Sequence, residues 1–304
     1  MVSVIIPYYN RPLKVKRAVN SVLNQTFKQI EIIIVDDSSP VPPPFETNGQ
    51  IKIIKNEVNS GPGISRNMGM AEAKGDFIAF LDSDDYWDPV FLEKTLNIFD
   101  ESKDDLVMVY VNTLAIDSKG TKPKRDGKVD TSVILPYILT DVRPWATSSC
   151  LWRADLIKDI KWGTNRNWED YVFDVRAAMV NNHVAHIDEF LVYYDLEGNQ
   201  KLSQTDFFQR SIEKAKSVIQ IYEVLKGTDY IKDVEIKKVI SELLIFILEV
   251  MKKFENNYHN LDKEVLHSLK ELVQSPLYHV IKFNYLFVNN KVGLRIINKL
   301  KKLL

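Results

Sequence analysis

Over about the first 110 residues, short apolar runs alternate with segments whose apolar positions recur every three to four residues. Val2 to Ile6, stopped by Pro7, reads as a buried strand. Leu13, Val15, Val19, Val22 and Leu23 follow at helical spacing, with Pro12 near the helix start. Glu31 to Val35 is a second strand, ended by Asp36 and Asp37, and the stretch 39–49 with Pro40, Pro42, Pro43 and Pro44 reads as loop. Ile51 to Ile54 is a third strand. Pro62 to Ala73 reads as a helix closed by Gly75. Phe77 to Leu81 is a fourth strand, Asp88-Pro89 opens a helix reaching about Glu101, and Leu106 to Val111 is a fifth strand. Strand–helix alternation of this kind predicts an α/β fold: a Rossmann-like, mostly parallel sheet with helices on both faces.

From about residue 112 to 200 the pattern is less regular. Ser148 to Trp152 and Val184 to Tyr194 read as strands, and Asp170 to Asn181 as a helix. The character then changes. Phe207 to Leu225, Val234 to Phe254 and Leu261 to Val273 are amphipathic, the second with a wide stripe from Ile236 to Met251. The expected organisation is therefore a domain over 1–205 (a first half over about 1–111 and a second over about 112–205), followed by a helical C-terminal region over 206–304.

Polar clusters fall at strand ends. Pro7-Tyr8-Tyr9-Asn10 follows the first strand, Asp36-Asp37 the second, Asn56 the third and Asp82-Ser83-Asp84-Asp85 the fourth. In open α/β sheets the carboxyl edge is where ligands bind. Three carboxylates within Asp82 to Asp85 repel one another and call for a cation. Carboxylate oxygens suit Mg²⁺ or Mn²⁺, which keep positions for phosphate oxygens. The bland alternative is a solvated turn with a helix cap. Asp36-Asp37 supplies acceptors for a base or ribose, or else an Asx turn into the proline loop. Asn59-Ser60-Gly61-Pro62-Gly63 with Arg66 opens a helix whose N-terminus favours anions, or is a plain loop-to-helix join. Trp168-Glu169-Asp170 offers a general base, or else an acidic first turn that complements a helix dipole.

Composition removes some alternatives. Lys+Arg is 40 against Asp+Glu 41, a formal net charge of -1, so no global field draws nucleic acid. The single cysteine, Cys150, excludes an internal disulfide and fits a reducing, cytoplasmic setting. No charged segment or cleavage site precedes the first strand. The most apolar stretch, Leu243 to Leu248, is far shorter than the roughly 20 residues of a membrane span.

Together, SVIIPYYN at 3–10, SVLNQTF at 21–27, EIIIVDDSS at 31–39, NSGPGISRNMGMAEAKGDFIAFLDSDDYW at 59–87 and WED at 168–170 resemble the family-2 inverting glycosyltransferases of A-type fold, as in bacterial capsule, O-antigen and lipooligosaccharide synthesis. The resemblance covers about residues 1–195. It implies that Pro7, Tyr8, Asn10 and Asp37 line a nucleoside pocket, with Arg66 near the base or phosphates and Ser83 in the same nucleotide-sugar site. It implies that Asp82 faces ribose and metal, that Asp84 ligates Mn²⁺ or Mg²⁺, and that Asp170 is the catalytic base with Glu169 as the alternative. The donor it implies is a nucleotide sugar, UDP-hexose or UDP-N-acetylhexosamine first, and the acceptor a saccharide hydroxyl that can be lipid-linked. Many members of that family carry an Arg or His after the last strand, where a histidine can help hold the metal. Residues 193–203 hold none, so the expectation is that Lys201 contacts the diphosphate instead, or that the third metal ligand is water.

The basic, amphipathic tail 291–304 suits peripheral contact with an anionic inner membrane, or a helix docked on its own domain. Aromatics over 278–287 suit an interface, a homodimer included. Trp145, Trp152 and Trp168 read as core before sugar-stacking platforms. The competing functions are a glycoside hydrolase, which needs two carboxylates across a sugar cleft rather than a metal cluster, a nucleotidyltransferase, which lacks its basic glycine-rich loop here, and a non-catalytic sugar-nucleotide binder.

Overall fold

The structure is a computed structural model. It describes residues 1–102, 105–117, 120–123, 131–196, 207–253, 259–273, 279 and 282. Residues 197–203, with Lys201, and the tail 291–304 lie outside the described residues, as does almost all of 278–287. The chain divides into two compact units, Met1–Thr164 with Phe173–Asn199, and Asn165–Val172 with Gln200–Leu304.

The first unit is an α/β sheet flanked by helices. Its strands are β1 (Val2–Tyr8), β2 (Ile30–Asp36), β3 (Ile51–Lys55), β4 (Phe77–Phe80), β5 (Asp85–Trp87), β6 (Met108–Asp117), β7 (Gly120–Pro123), β8 (Cys150–Arg153) and β9 (Val184–Asp195). Their spatial order is β3-β2-β1-β4-β8-β6-β9-β5, with β7 on β6. β3, β2, β1 and β4 are mutually parallel, as are β6 and β9. β8 runs antiparallel to both β4 and β6, and β5 antiparallel to β9.

β1 shows why the runs are apolar throughout. Val2, Val4, Ile6 and Tyr8 share one core with Val15, Ala18, Val19 and Val22 of α1 (Pro12–Leu23) and Phe91, Leu92 and Phe99 of α3 (Phe91–Glu101). Ile5 faces α2 (Pro62–Glu72): a Cβ added at Gly69 would lie 2.4 Å from Ile5 Cγ2. A strand covered on both faces cannot afford alternation. Gly75 is needed where the chain returns to β4, since a Cβ there would meet the backbone of Met1, Ser3 and Phe77 within 2.8 Å.

Two elements differ from the expected pattern. The helix expected at Asp88-Pro89 begins at Phe91, because Asp88 builds a turn first: its carbonyl accepts from Phe91 N–H and its Oδ1 from Val90 N–H. β5 occupies the residues between the acidic cluster and that turn. Short helices α4 (Tyr137–Thr140) and α5 (Ala154–Ile157) fill the irregular stretch, and α6 (Glu169–Val180) precedes β9. Trp145 and Trp152 are buried, and so is Cys150, whose thiol donates to the Ala146 carbonyl at 3.3 Å. Arg143 and Asp174 pair at 2.6 Å in the interior, and Trp145 Nε1 donates to the same carboxylate at 2.8 Å.

The second unit contains α7 (Phe207–Leu225), α8 (Val234–Lys253) and α9 (His259–Leu272). Ile236, Ile240, Leu244, Ile247, Leu248 and Met251 of α8 are buried along one stripe, and Tyr222 of α7 donates to Glu271 of α9 at 2.6 Å. Residues 165–172 group with these helices rather than with the sheet, inside the span the sequence assigns to the first domain. No helix among the described residues is long and apolar enough to cross a membrane.

Candidate functional site

The carboxyl ends of the parallel strands β1, β2 and β4 share one sheet edge in the first unit, and the backbone is unusual there. Asn10, Ser38 and Gly61 all have positive φ, at 50°, 58° and 91°. Non-glycine residues in this region are uncommon and store strain where the surrounding structure dictates the turn. Asn10 N–H donates to Ser39 Oγ at 2.6 Å, so the loops after β1 and β2 are tied together.

Asp36 and Asp37 divide the work. Asp36 Oδ1 accepts from Ser39 N–H at 2.9 Å, three residues on, where the proline loop starts. Burial, above all, raises the Asp36 pKa. Asp37 is buried and holds the segment before α2: Oδ1 accepts from Asn56 Nδ2 at 2.9 Å and Ser60 N–H at 2.8 Å, and Oδ2 from Gly61 N–H at 2.8 Å. Its first task is therefore to shape the loop that opens α2.

Tyr8 and Tyr9 point differently. Tyr8 is 1% exposed and its hydroxyl donates to the Val41 carbonyl at 2.8 Å, bracing the proline loop. Tyr9 is 49% exposed, so its ring is the one a flat ligand can reach. Pro7 is half-buried beside them.

The acidic turn is held from several sides. Asp85 N–H donates to the Asp82 carbonyl at 2.9 Å, closing the turn. Ser148 Oγ donates to the buried Asp85 Oδ2 at 2.6 Å and accepts from Asp82 N–H at 3.1 Å. Ser83 is buried within the turn. Asp82 meets Arg66, whose Nη2 donates to Oδ1 at 2.7 Å while its guanidinium lies 4.3 Å from the Trp162 ring centre. Asp84 Oδ2 accepts from Arg11 Nη1 at 2.6 Å, and the Asp84 carbonyl accepts from Arg17 Nη2 at 2.9 Å. Arg17 also reaches Asp195 Oδ2 at 2.7 Å, and Lys14 Nζ lies 3.4 Å from that oxygen. Tyr194 feels this concentration of charge. Burial first, then Asp85, Asp84 and Asp82, push its phenol up to about 12.

The structure thus brings Pro7, Tyr8, Asn10, Asp37, Arg66, Asp82, Ser83 and Asp84 to one sheet edge. Glu169 and Asp170 stand in the second unit, at the start of α6. There Trp168 has φ 64°, stacks on Tyr171 with ring centres 4.4 Å apart, and carries Lys214 Nζ 3.8 Å from its ring. Sequence reasoning named Tyr9 in the strand-end cluster but not among the pocket residues, and missed Arg11, Arg17, Tyr194 and Asp195. Only Tyr9 carried a signal, the alternation that sends it outward when Tyr8 points in.

Among the described residues no group of three or more His, Cys, Asp or Glu is gathered to hold a metal by protein ligands alone. Asp82 and Asp84 are two hard oxygen donors on one turn, with side chains 35% and 14% exposed. Mg²⁺ and chemically similar ions bind through one or two carboxylates together with substrate phosphates, so the donor set fits such an ion. A cavity of about 420 Å³ lies elsewhere, at the opposite strand ends, lined by Phe77, Ile78, Arg153 and Lys158 among others.

Comparison with known proteins gives the following. Residues 3–150 match the family model described as glycosyl transferase family 2. An uncharacterized glycosyltransferase of Haemophilus influenzae is 30% identical over 198 residues, covering 61% of this chain and 77% of that protein. One from Nostoc sp. is 30% identical over 239 residues, covering 72% of each. The poly(ribitol-phosphate) beta-N-acetylglucosaminyltransferase TarS of Staphylococcus aureus is 25% identical over 205 residues, covering 63% of this chain and 35% of TarS. The crystal structure of TarS residues 1–349 in complex with UDP-GlcNAc superposes with a TM-score of 0.66 at 19% identity, covering 99% of this chain and 89% of that one. At that identity the likeness speaks for the A-type fold.

Proposed function

The chain belongs to glycosyl transferase family 2, and on that premise we propose that it moves a hexosyl or N-acetylhexosaminyl group from a UDP-sugar to a saccharide hydroxyl, with inversion. The observation that carries the reading is the cluster of side chains at the carboxyl ends of β1, β2 and β4. It places an exposed tyrosine, a helix N-terminus, arginines and the two carboxylates Asp82 and Asp84 on one edge of the first unit. TarS, bound to UDP-GlcNAc in a fold of the same kind, supports a nucleotide-sugar donor.

In this reading Tyr9 stacks on the base, and the loop held by Asp37 frames the nucleoside. Arg66 keeps Asp82 oriented. Asp82 and Asp84 hold Mn²⁺ or Mg²⁺, which when bound neutralises charge on the departing diphosphate. Asp170 accepts the proton of the acceptor hydroxyl, with Glu169 as the alternative base. The acceptor oxygen forms a bond to the anomeric carbon while the bond from that carbon to the diphosphate breaks. One displacement inverts the configuration. The acceptor is a surface-polysaccharide saccharide, lipid-linked in one version of this proposal, in which 291–304 lies on the inner membrane face. Whether the active species is a homodimer belongs to the same proposal.

The test is product analysis. Wild type with Mn²⁺, a UDP-sugar and a panel of saccharide acceptors is expected to release UDP and yield a product whose NMR coupling shows the inverted anomer. Asp170→Asn is expected to bind UDP as wild type does and to lose at least about 10²-fold in turnover. Retained configuration, or full turnover by both Asp170→Asn and Glu169→Gln, would overturn the mechanism. Donor binding without turnover on any acceptor would favour a non-catalytic binder.

A further inference from the structure

Asp84, one of the two carboxylates proposed to hold a divalent ion, meets an arginine instead. Arg11 stands at the residue just before α1, its Nη1 2.6 Å from Asp84 Oδ2, and both side chains are largely shielded, 21% and 14% exposed. The contact is side chain to side chain. The backbone on both sides is fixed independently. The Arg11 carbonyl accepts from Val15 N–H at 3.0 Å within the first turn of α1, and the Asp84 carbonyl accepts from Arg17 at 2.9 Å. Asp82, two residues away, differs in that its arginine is 3% exposed and lies against Trp162, so Arg66 is built in place. One acidic turn therefore carries a deeply buried arginine on Asp82 and a more exposed one on Asp84.

We infer that Arg11 is a placeholder that leaves Asp84 when a divalent cation and a nucleoside diphosphate arrive together, and then binds the diphosphate. This rests on the donor reading proposed above. The chemistry follows from charge. A divalent ion on Asp84 and an arginine on the same oxygen repel each other, while a diphosphate offers the guanidinium two or more anionic oxygens in a fork geometry it matches. From the position just before α1, the side chain also adds to the positive end of the α1 dipole. The exchange makes metal and nucleotide binding mutually dependent: without nucleotide, Arg11 competes with the metal, and with nucleotide it helps.

The consequence is an effect of opposite sign on two ligands. Mn²⁺ affinity without nucleotide is measured by titration followed by electron paramagnetic resonance, and UDP affinity in saturating Mn²⁺ by calorimetry. These are run for wild type, Arg11→Ala, Arg11→Lys and Asp84→Asn, with circular dichroism and thermal melting to confirm folding. Arg11→Ala is expected to bind Mn²⁺ alone roughly three- to tenfold more tightly and UDP roughly tenfold more weakly. Arg11→Lys, a point charge without the fork, is expected to fall between. If wild type binds UDP and Asp84→Asn does not, yet both Arg11 variants match wild type, the exchange is wrong and the donor reading stands. If Arg11→Ala weakens both ligands, Arg11 is a prop for the turn and the exchange is again wrong. If wild type binds no UDP in any metal, the donor reading fails and takes the exchange with it.

Discussion

Arg17 and Asp195 meet at 2.7 Å although 178 positions separate them in the chain, and the same Arg17 guanidinium holds the Asp84 carbonyl at 2.9 Å. The side chain also lies 4.4 Å from the centre of the Tyr86 ring, which stacks on Tyr193. One residue of α1 thus joins the acidic turn after β4 to the last residue of β9. Arg17→Ala is expected to loosen the turn and to weaken Mn²⁺-dependent UDP binding by about tenfold by calorimetry, at a stability cost of only about 1 kcal/mol because the side chain is partly solvated. A large loss of stability with unchanged UDP affinity would show that the link serves the fold alone.

The interior pair makes the contrasting prediction. Arg143 and Asp174 are 3% and 0% exposed, and Trp145 shares the carboxylate. Asp174→Ala strips a buried guanidinium of its carboxylate, so chemical denaturation is expected to show a loss of about 3–5 kcal/mol. A change below about 1 kcal/mol would mean water or backbone replaces the partner.

At Gly69 the helix backbone touches the sheet. Gly69→Ala would place its Cβ 2.4 Å from Ile5 Cγ2. The expected cost is about 1–3 kcal/mol of overpacking, and smaller when measured in an Ile5→Ala background, which removes the Cγ2 that the new Cβ would meet, read from denaturant midpoints. Equal stability of Gly69→Ala and wild type would contradict the close approach of α2 and β1.

Tyr194 reports the charge of the site. Its phenol, raised to about 12, should stay protonated in metal-free buffer at a pH where ordinary tyrosines ionise. Because the folded value is raised, the associated stability is complete below the ordinary phenol value near 10 and is lost as pH rises through about 12. Ultraviolet titration of wild type against Tyr194→Phe isolates this group. Asp84→Asn is expected to lower the value only in part, since burial is the larger cause. An unperturbed Tyr194 titration would place the phenol away from the turn.

What was legible in the sequence follows from which forces are local. β1, β2 and β4 announced themselves because strands buried on both faces are nearly continuous apolar runs, and α1 and α3 because their apolar positions recur every third or fourth. β5 did not. Its three residues, Asp85–Trp87, are a strand only because Tyr193 and Tyr194 pair with them from far along the chain. The clustering of Asp82 and Asp84 with Asp37 and Arg66 was legible as strand-end polarity, and Trp145 and Trp152 are core as expected. The roles of Arg11 and Arg17 were not, because a basic residue on an amphipathic helix looks like any solvated face until the tertiary partner is known. Tyr8 and Tyr9 were adjacent letters, and burial alone separates their tasks.

The most direct test of the account is the thermal shift of wild type and Asp84→Ala with a panel of UDP-sugars in Mn²⁺ or in EDTA. The account predicts that a UDP-sugar raises the melting temperature of wild type in Mn²⁺, that EDTA abolishes the rise, and that Asp84→Ala, folded as wild type, shows none. Stabilisation that persists in EDTA or in Asp84→Ala would contradict the role given to the acidic turn, and no stabilisation by any UDP-sugar would contradict the donor itself.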